Sequence, residues 1–437
     1  MKKLPSLATA ALLAASFAPL TAQETPWAPD DRGSDNIEVV AHVPLGAEGT
    51  VADMEFEQDP DRRLAYVARR SEFGVTAVAF DDPEDPEVVW DWRIENEALH
   101  RGRAPDVKYF AHDGRYYVVQ SFQFEQGGPD ANLGAIVFDV TDLPDGEPEE
   151  VGRITYPEPG GFHNIFMYRH SDGRPLLFAT TTGDHAAVFD MAELVDGADD
   201  AKTAEIPLPE NPFAEALGYE GYHDFYVGWH PDSGQDRFYG GGGGGWFVFD
   251  VTDLQDRRLL ATVVGVPGVL WGHTITPGPR GRYFVGETEY QYAPLRIFDL
   301  QPALDGEEEN IQLPISAWTA DWRNLAHNHE VRWPYVFVSA YEDGLQVFNM
   351  RDPENPYTVA YYDTFDGAHK TGACADSICN GAFGVDVRNH DGLIGISDKV
   401  SGFWLFRMEG FAGWNGEEWD VPDVSSVQDW QDGPGGG

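Results

Sequence analysis

Seven times along the chain a run of small and apolar residues ends in Phe, and the Phe is usually followed by Asp or Asn. The runs are AVAFDD at Phe80, AIVFDV at Phe138, AAVFDM at Phe189, WFVFDV at Phe249, LRIFDL at Phe298, LQVFNM at Phe348 and FWLFRM at Phe406. Their spacing of about 50 to 60 residues is the length of a four-stranded propeller blade with its turns. Before each run lies a hairpin. Its second strand is a short apolar segment such as RRLAYVAR or PYVFVSA. Its first strand is led by VADMEF, APDVKY, GFHNIF, GYHDFY, WGHTIT, HNHEVR or FGVDVR. After each run come an acidic turn and a fourth strand, and amphipathic helical periodicity is nearly absent. The pattern predicts an all-β chain, a seven-bladed β-propeller with strands A to D in each blade and A innermost. The last unit stops at its strand C near Phe406, and the first begins one strand early, at 36–43 (NIEVVAHV). That N-terminal strand is therefore expected to be strand D of the last blade, which removes the open edge of the array.

The termini read differently from the repeats. Lys2 and Lys3, an apolar stretch from Leu7 to Leu20 and small residues at Thr21 and Ala22 have the form of an export signal, too short to span a bilayer comfortably. The expected organisation is a signal peptide over 1–22, a linker over 23–35, the propeller over 36–409 and a tail over 410–437. Trp414, Trp419 and Trp430 should pack part of the tail back on the body, and the final GPGGG should be disordered. The expected location is periplasmic or extracellular. A local disulfide between Cys374 and Cys379, the two cysteines of the chain, fits that location. Closing so short a loop contributes roughly 2 kcal/mol. The formal charge of −45 argues against nucleic acid and anionic membranes as partners, and no later segment is long and apolar enough to span a membrane. The partner expected is a small molecule or another extracellular ligand.

Segments such as YVFVSAYEDGLQVFNMRDPENPYTVAYYDT resemble the LVIVD repeat of secreted bacterial and archaeal propellers. The resemblance is strongest in the sixth repeat and extends over most of 36–410. It implies the propeller fold and carries over no catalytic residue.

Strand direction sorts the loops onto two faces. The long, aromatic and Gly-rich loops fall at the face where strand A begins, here called the top, and long loops on a rigid scaffold are where binding sites sit. Of the 13 histidines, His112, His170, His230 and His390 fall in A–B turns at the bottom and are expected to be solvated. His163, His223, His273 and His329 are read as the first residues of strand A in four successive blades. Such a register aims four imidazoles at the axis, where they suit a transition metal, iron or copper before zinc, and poorly suit calcium or magnesium. Such a set is similar in geometry to the four-histidine iron site of carotenoid oxygenases. Imidazole ligands imply weaker binding below about pH 6. His327, in HNHE, is the alternative to His329. Asp184, His185, Asp224, Glu287 and Glu330 are candidates for orienting the ligands or meeting a substrate. Gly240–Gly245 lacks the Lys-Ser/Thr of a phosphate loop, and its glycines point to close approach of backbone.

Two functions follow. One is a metal-dependent oxidoreductase acting on a small substrate at the top of the channel. The other is a non-catalytic binding propeller that uses the top loops. No Ser or Cys nucleophile with a His–acid pair and no haem attachment motif is recognisable.

Overall fold

The computed structural model describes residues 32–47, 49–157, 160–215, 221–321, 325–365, 380–414 and 430. Seven antiparallel four-stranded sheets surround a central channel. Their inner strands are Met54–Phe56, Val107–His112, Ile165–Arg169, Tyr222–His230, Ile275–Pro277, Asn328–Arg332 and Ala382–Val387, for blades 1 to 7. Blade 7 is completed by Ile37–Val43, which pairs with Gly402–Met408 so that Val43 faces Phe403 and Val39 faces Phe406. The ring thus closes through the N-terminal strand.

The repeated Phe has one job in all seven blades. Phe80, Phe138, Phe189, Phe249, Phe298, Phe348 and Phe406 are all buried near the end of strand C. Burying a Phe side chain contributes about 1.5–3 kcal/mol, so the repeat stabilises each sheet-to-sheet interface in turn. The Asp or Asn that follows turns the chain. Asp139, Asp250 and Asn349 accept the backbone N–H two residues on, at 3.0, 3.1 and 2.8 Å. This is the Asx turn that short acidic side chains favour.

The bottom turns depart from expectation at two places. His170 and His230 are buried. His170 lies 3.2 Å from Asp236 of blade 4, and His230 hydrogen-bonds Ser233 Oγ at 2.8 Å and the Arg280 carbonyl. Each ring reaches under the next blade and ties two blades together, which a solvated turn residue would not do. His112 is partly exposed and His390 exposed.

Of the tail, Trp414 packs against blades 5 to 7 and Trp430 against Tyr109 and Phe110 of blade 2. Trp419 lies outside the described residues, as do the signal peptide, Cys374 and Cys379 with their expected disulfide, and the terminal GPGGG. No helix of the described residues is long and apolar enough to cross a membrane.

Candidate functional site

Strand A enters each blade through the same irregularity. One residue of strand B faces two of strand A. Backbone bonds fix the second of the two: Ala68 to Asp53, Ser121 to Asp106, Thr180 to Asn164 and Glu287 to Thr274. Direct pairing does the same for Asp224 with Gly241, Asn328 with Ser339 and Gly384 with Ser397. The residue before each is the first of the two, and in blades 3, 4, 6 and 7 it lines the cavity at the mouth of the channel. Around the ring these are Ala52, Pro105, His163, His223, His273, His327 and Phe383. A bulge re-aims a side chain in this way and is common beside active sites.

His327, not His329, therefore holds the register of the other three histidines. The rings form a continuous row. His163 and His223 have centroids 4.6 Å apart, His223 and His273 4.2 Å, and His273 and His327 5.1 Å. Phe383 closes the row by stacking on His327 at 3.6 Å. His329 lies two residues further along strand A, and its Nε2 meets the Val285 carbonyl of blade 5 at 3.2 Å. Its placement between blades removes it from the mouth.

Three of the four rings in the row have Nδ1 engaged. His163 Nδ1 meets Gln123 Oε1 at 3.1 Å and His327 Nδ1 the Phe383 carbonyl at 2.8 Å. His273 Nδ1 lies 2.7 Å from Thr274 Oγ1 and 2.8 Å from Glu287 Oε2. Such contacts leave Nε2 as the outward donor atom, the arrangement usual for metal-binding histidines. His273 Nε2 and His223 Nδ1 are buried without a hydrogen-bond partner. Glu289 Oε2 lies 3.3 Å from His273 Nε2. Donor atoms of His223, His273 and Glu289 all fall within 4.8 Å of one another. Burial pushes the imidazoles of His163, His223 and His327 well below their ordinary 6.5 and lowers His273 as well. The row is thus neutral at pH 7, as ligation requires.

Glu289 was not among the residues singled out from the sequence. Its signal was its place two residues after Glu287 in GETEY, at the end of strand B. It adopts a φ of 48°, and Tyr341, which donates to its Oε1 at 2.5 Å, a φ of 44°. Side chains in the left-handed region cost of order 1–3 kcal/mol and persist where the surroundings impose them, often at functional sites. Trp271 packs on His223 at 4.6 Å. Gly241 permits the close fit of blades 4 and 5, since a Cβ there would stand 2.4 Å from the His273 carbonyl oxygen.

The remaining candidates divide. Glu287 touches His273 directly, and Asp224 reaches it through Thr274, whose Oγ1 lies 3.3 Å from Asp224 Oδ2. Asp184 is exposed, and His185 pairs with Tyr156 Oη at 2.7 Å on the outer part of blade 3, because strand C begins far from the axis. Glu330 sits below the histidines. It accepts from Tyr226 and Arg332 as one of a buried acidic tier with Glu55 and Asp386. Lys108 answers that tier, with Nζ 2.7 Å from Asp106 and 3.6 Å from Glu55.

No protein-family description matches the chain, and none of the curated proteins does. Among solved structures it is similar to the WD40 β-propeller domain of Doa1. The TM-score is 0.53 at 10% identity, over 86% of this chain and 99% of that one. The chain is a seven-bladed β-propeller. At that identity the likeness speaks to fold alone, and function has to be argued from the site.

Above the histidines a cavity of about 600 Å³ opens to the top face. The histidines of blades 3, 4 and 6 lie on one side, and Arg70, Arg103 and Lys399, from loops of blades 1, 2 and 7, on the other.

Proposed function

We propose that His223, His273 and Glu289 hold one transition-metal ion, flanked by His163 and His327, and that the protein is a metal-dependent oxidoreductase acting on a small substrate in the cavity above. The observation that carries this reading is the convergence of two buried imidazoles and a carboxylate, with a nitrogen on each ring that makes no hydrogen bond. Two histidines and one carboxylate with open positions suit iron(II), so iron is preferred here to copper and zinc. A bound metal would supply Lewis acidity and a place for a small oxidant or substrate atom. The chain's own residues do the rest. Thr274 fixes the ring of His273 with Glu287 beside it, Gln123 and the Phe383 carbonyl fix those of His163 and His327, and Trp271 covers His223. Because burial already favours the neutral rings, metal loss on acidification moves below the pH 6 expected of free imidazoles. The reading keeps the LVIVD resemblance as its family and an exported location as its setting.

Elemental analysis of protein purified without a His tag tests it. Close to one equivalent of iron, or of copper, is expected. H223A, H273A and E289Q should each lower occupancy sharply, and His112→Ala should not. Protein that carries no metal and takes up no iron, copper or zinc would overturn the reading and leave a non-catalytic binding propeller.

A further inference from the structure

The cavity's second wall is charged against the trend of the molecule. The chain has 74 acidic and 29 basic residues, yet Arg70, Arg103 and Lys399 meet on this wall. None of the three has a side-chain hydrogen bond or ion pair among the described residues. Lys399 is the telling one. It is only 4% exposed, and its ammonium faces the rings of Phe383 and Tyr341 at 5.2 and 5.7 Å. Aromatic faces offset part of the desolvation of a cation, but a buried charge without a counter-ion remains costly. Glu289, the carboxylate among the cavity residues, is engaged by Tyr341 and stands beside His273. Glu289 and Asp398 act on Lys399, and Glu125 on Arg70, only from a distance, and among the described residues none of these carboxylates makes a hydrogen bond or close ion pair with the cations of the wall.

We propose that this wall binds the oxyanion head of a small organic anion, a carboxylate or a phosphoryl group, whose body crosses the cavity toward the histidine row. Two guanidinium forks and an ammonium match such a head, because Arg presents paired N–H donors to two oxygens and Lys adds a point charge. A volume of about 600 Å³ is in the usual range for small-molecule sites. The proposal rests on the metal reading only for what lies at the far end of the ligand. The head-group contact is independent of it.

Calorimetric titration at constant ionic strength tests the wall, with benzoate, phenyl phosphate and the uncharged benzamide as probes, on metal-depleted and iron-loaded protein. Benzoate, phenyl phosphate or both should bind one per chain, and benzamide should bind at least tenfold more weakly. R103Q and K399Q should weaken the anion at least tenfold, and R407Q, on the outside of blade 7, should not. Saturating anion should also slow reductive methylation of Lys399 in the unmutated protein, which keeps the test open if a variant fails to fold. Benzamide binding as tightly as the tighter of the two anions, unchanged affinity in R103Q and K399Q, or methylation of Lys399 that ignores the anion would overturn the proposal. Anion binding by metal-depleted protein supports it whatever elemental analysis finds, so the two readings fail separately.

Discussion

Replacing Lys108 by Met isolates the electrostatics of the channel. The Lys108 side chain is 13% exposed, with Nζ 2.7 Å from Asp106 Oδ1 and 3.6 Å from Glu55 Oε2. Its neighbours Asp53 and Glu55 are driven upward by burial, Asp53 to about 7, and Lys108 is the largest influence holding both down. Burial alone would lower Lys108, but Asp106 first, then Glu55 and Asp53, outweigh it and hold Lys108 well above its ordinary value, so it stays charged at any pH where the protein is handled. Met keeps the length and loses the charge. Removing one partner of a buried ion pair costs about 3–5 kcal/mol, a large share of the roughly 5–15 kcal/mol that stabilises a domain. The cost has a pH signature. In the variant the folded-state pKa values of Asp53 and Glu55 rise further above their unfolded values, so the added penalty is absent where both are protonated and grows as pH rises through the folded pKa. Urea denaturation followed by tryptophan fluorescence should show a loss of about 3–5 kcal/mol at pH 8.5 and a clearly smaller loss at pH 5.5. A loss under about 1 kcal/mol, or the same loss at both pH values, would refute the assignment of Lys108 as the channel's internal counter-ion.

Three further outcomes are expected. H327A should disturb metal retention more than H329A, measured by elemental analysis after dialysis, because the ring of His329 is directed at the Val285 carbonyl between blades. His329 has its pKa lowered to about 3 by burial, so its contribution to stability is present above 6.5 and lost as pH falls. Denaturation of the metal-free protein at pH 6.5 and pH 5 should show that His329→Asn removes about 2 kcal/mol of that acid-dependent loss, and an unchanged pH slope would contradict it. Gly241→Ala would place a Cβ 2.4 Å from the His273 carbonyl oxygen. It should cost about 1–3 kcal/mol as an overpacked site and lower metal occupancy, read by thermal denaturation and elemental analysis on the same preparation.

The fold was legible because one side chain per blade carries two kinds of information. Phe at the end of strand C must be buried between sheets, and the Asp or Asn after it must turn the chain. The Phe therefore recurs at the end of strand C in every blade, followed by Asp or Asn in all but the seventh, and the count of the Phe is the blade count. The missing fourth strand at the C-terminus and the surplus strand before VADMEF gave the closure. The burial of His170 and His230 was not legible, since a His beside Asp and Gly reads as a solvated turn. Its partners, Asp236 and the Arg280 carbonyl, belong to neighbouring blades.

The site shows where periodicity stops helping. The segment HNHE offers two histidines two residues apart, and a strand puts both on one side, so alternation does not choose between His327 and His329. What chooses is the bulge at the entrance to strand A. Its marks are side chains of the partner strand, Thr180 and Ser339, which bond the N–H groups of Asn164 and Asn328. Aligning strand B first would have placed Ser339 opposite Asn328 and His327 in the row. The same argument explains why Glu289 and the cations went unread. Glu289 lies just after strand B, Arg70 and Lys399 follow strand B in blades 1 and 7, and Arg103 comes from a D–A loop. None is placed by strand periodicity. The ring brings them together only when blade 7 closes on blade 1 through Ile37–Val43. The N-terminal strand thus sets more than the edge. It fixes the distance between the cationic half of the cavity and the histidine half, which is the dimension a bound anion would have to span.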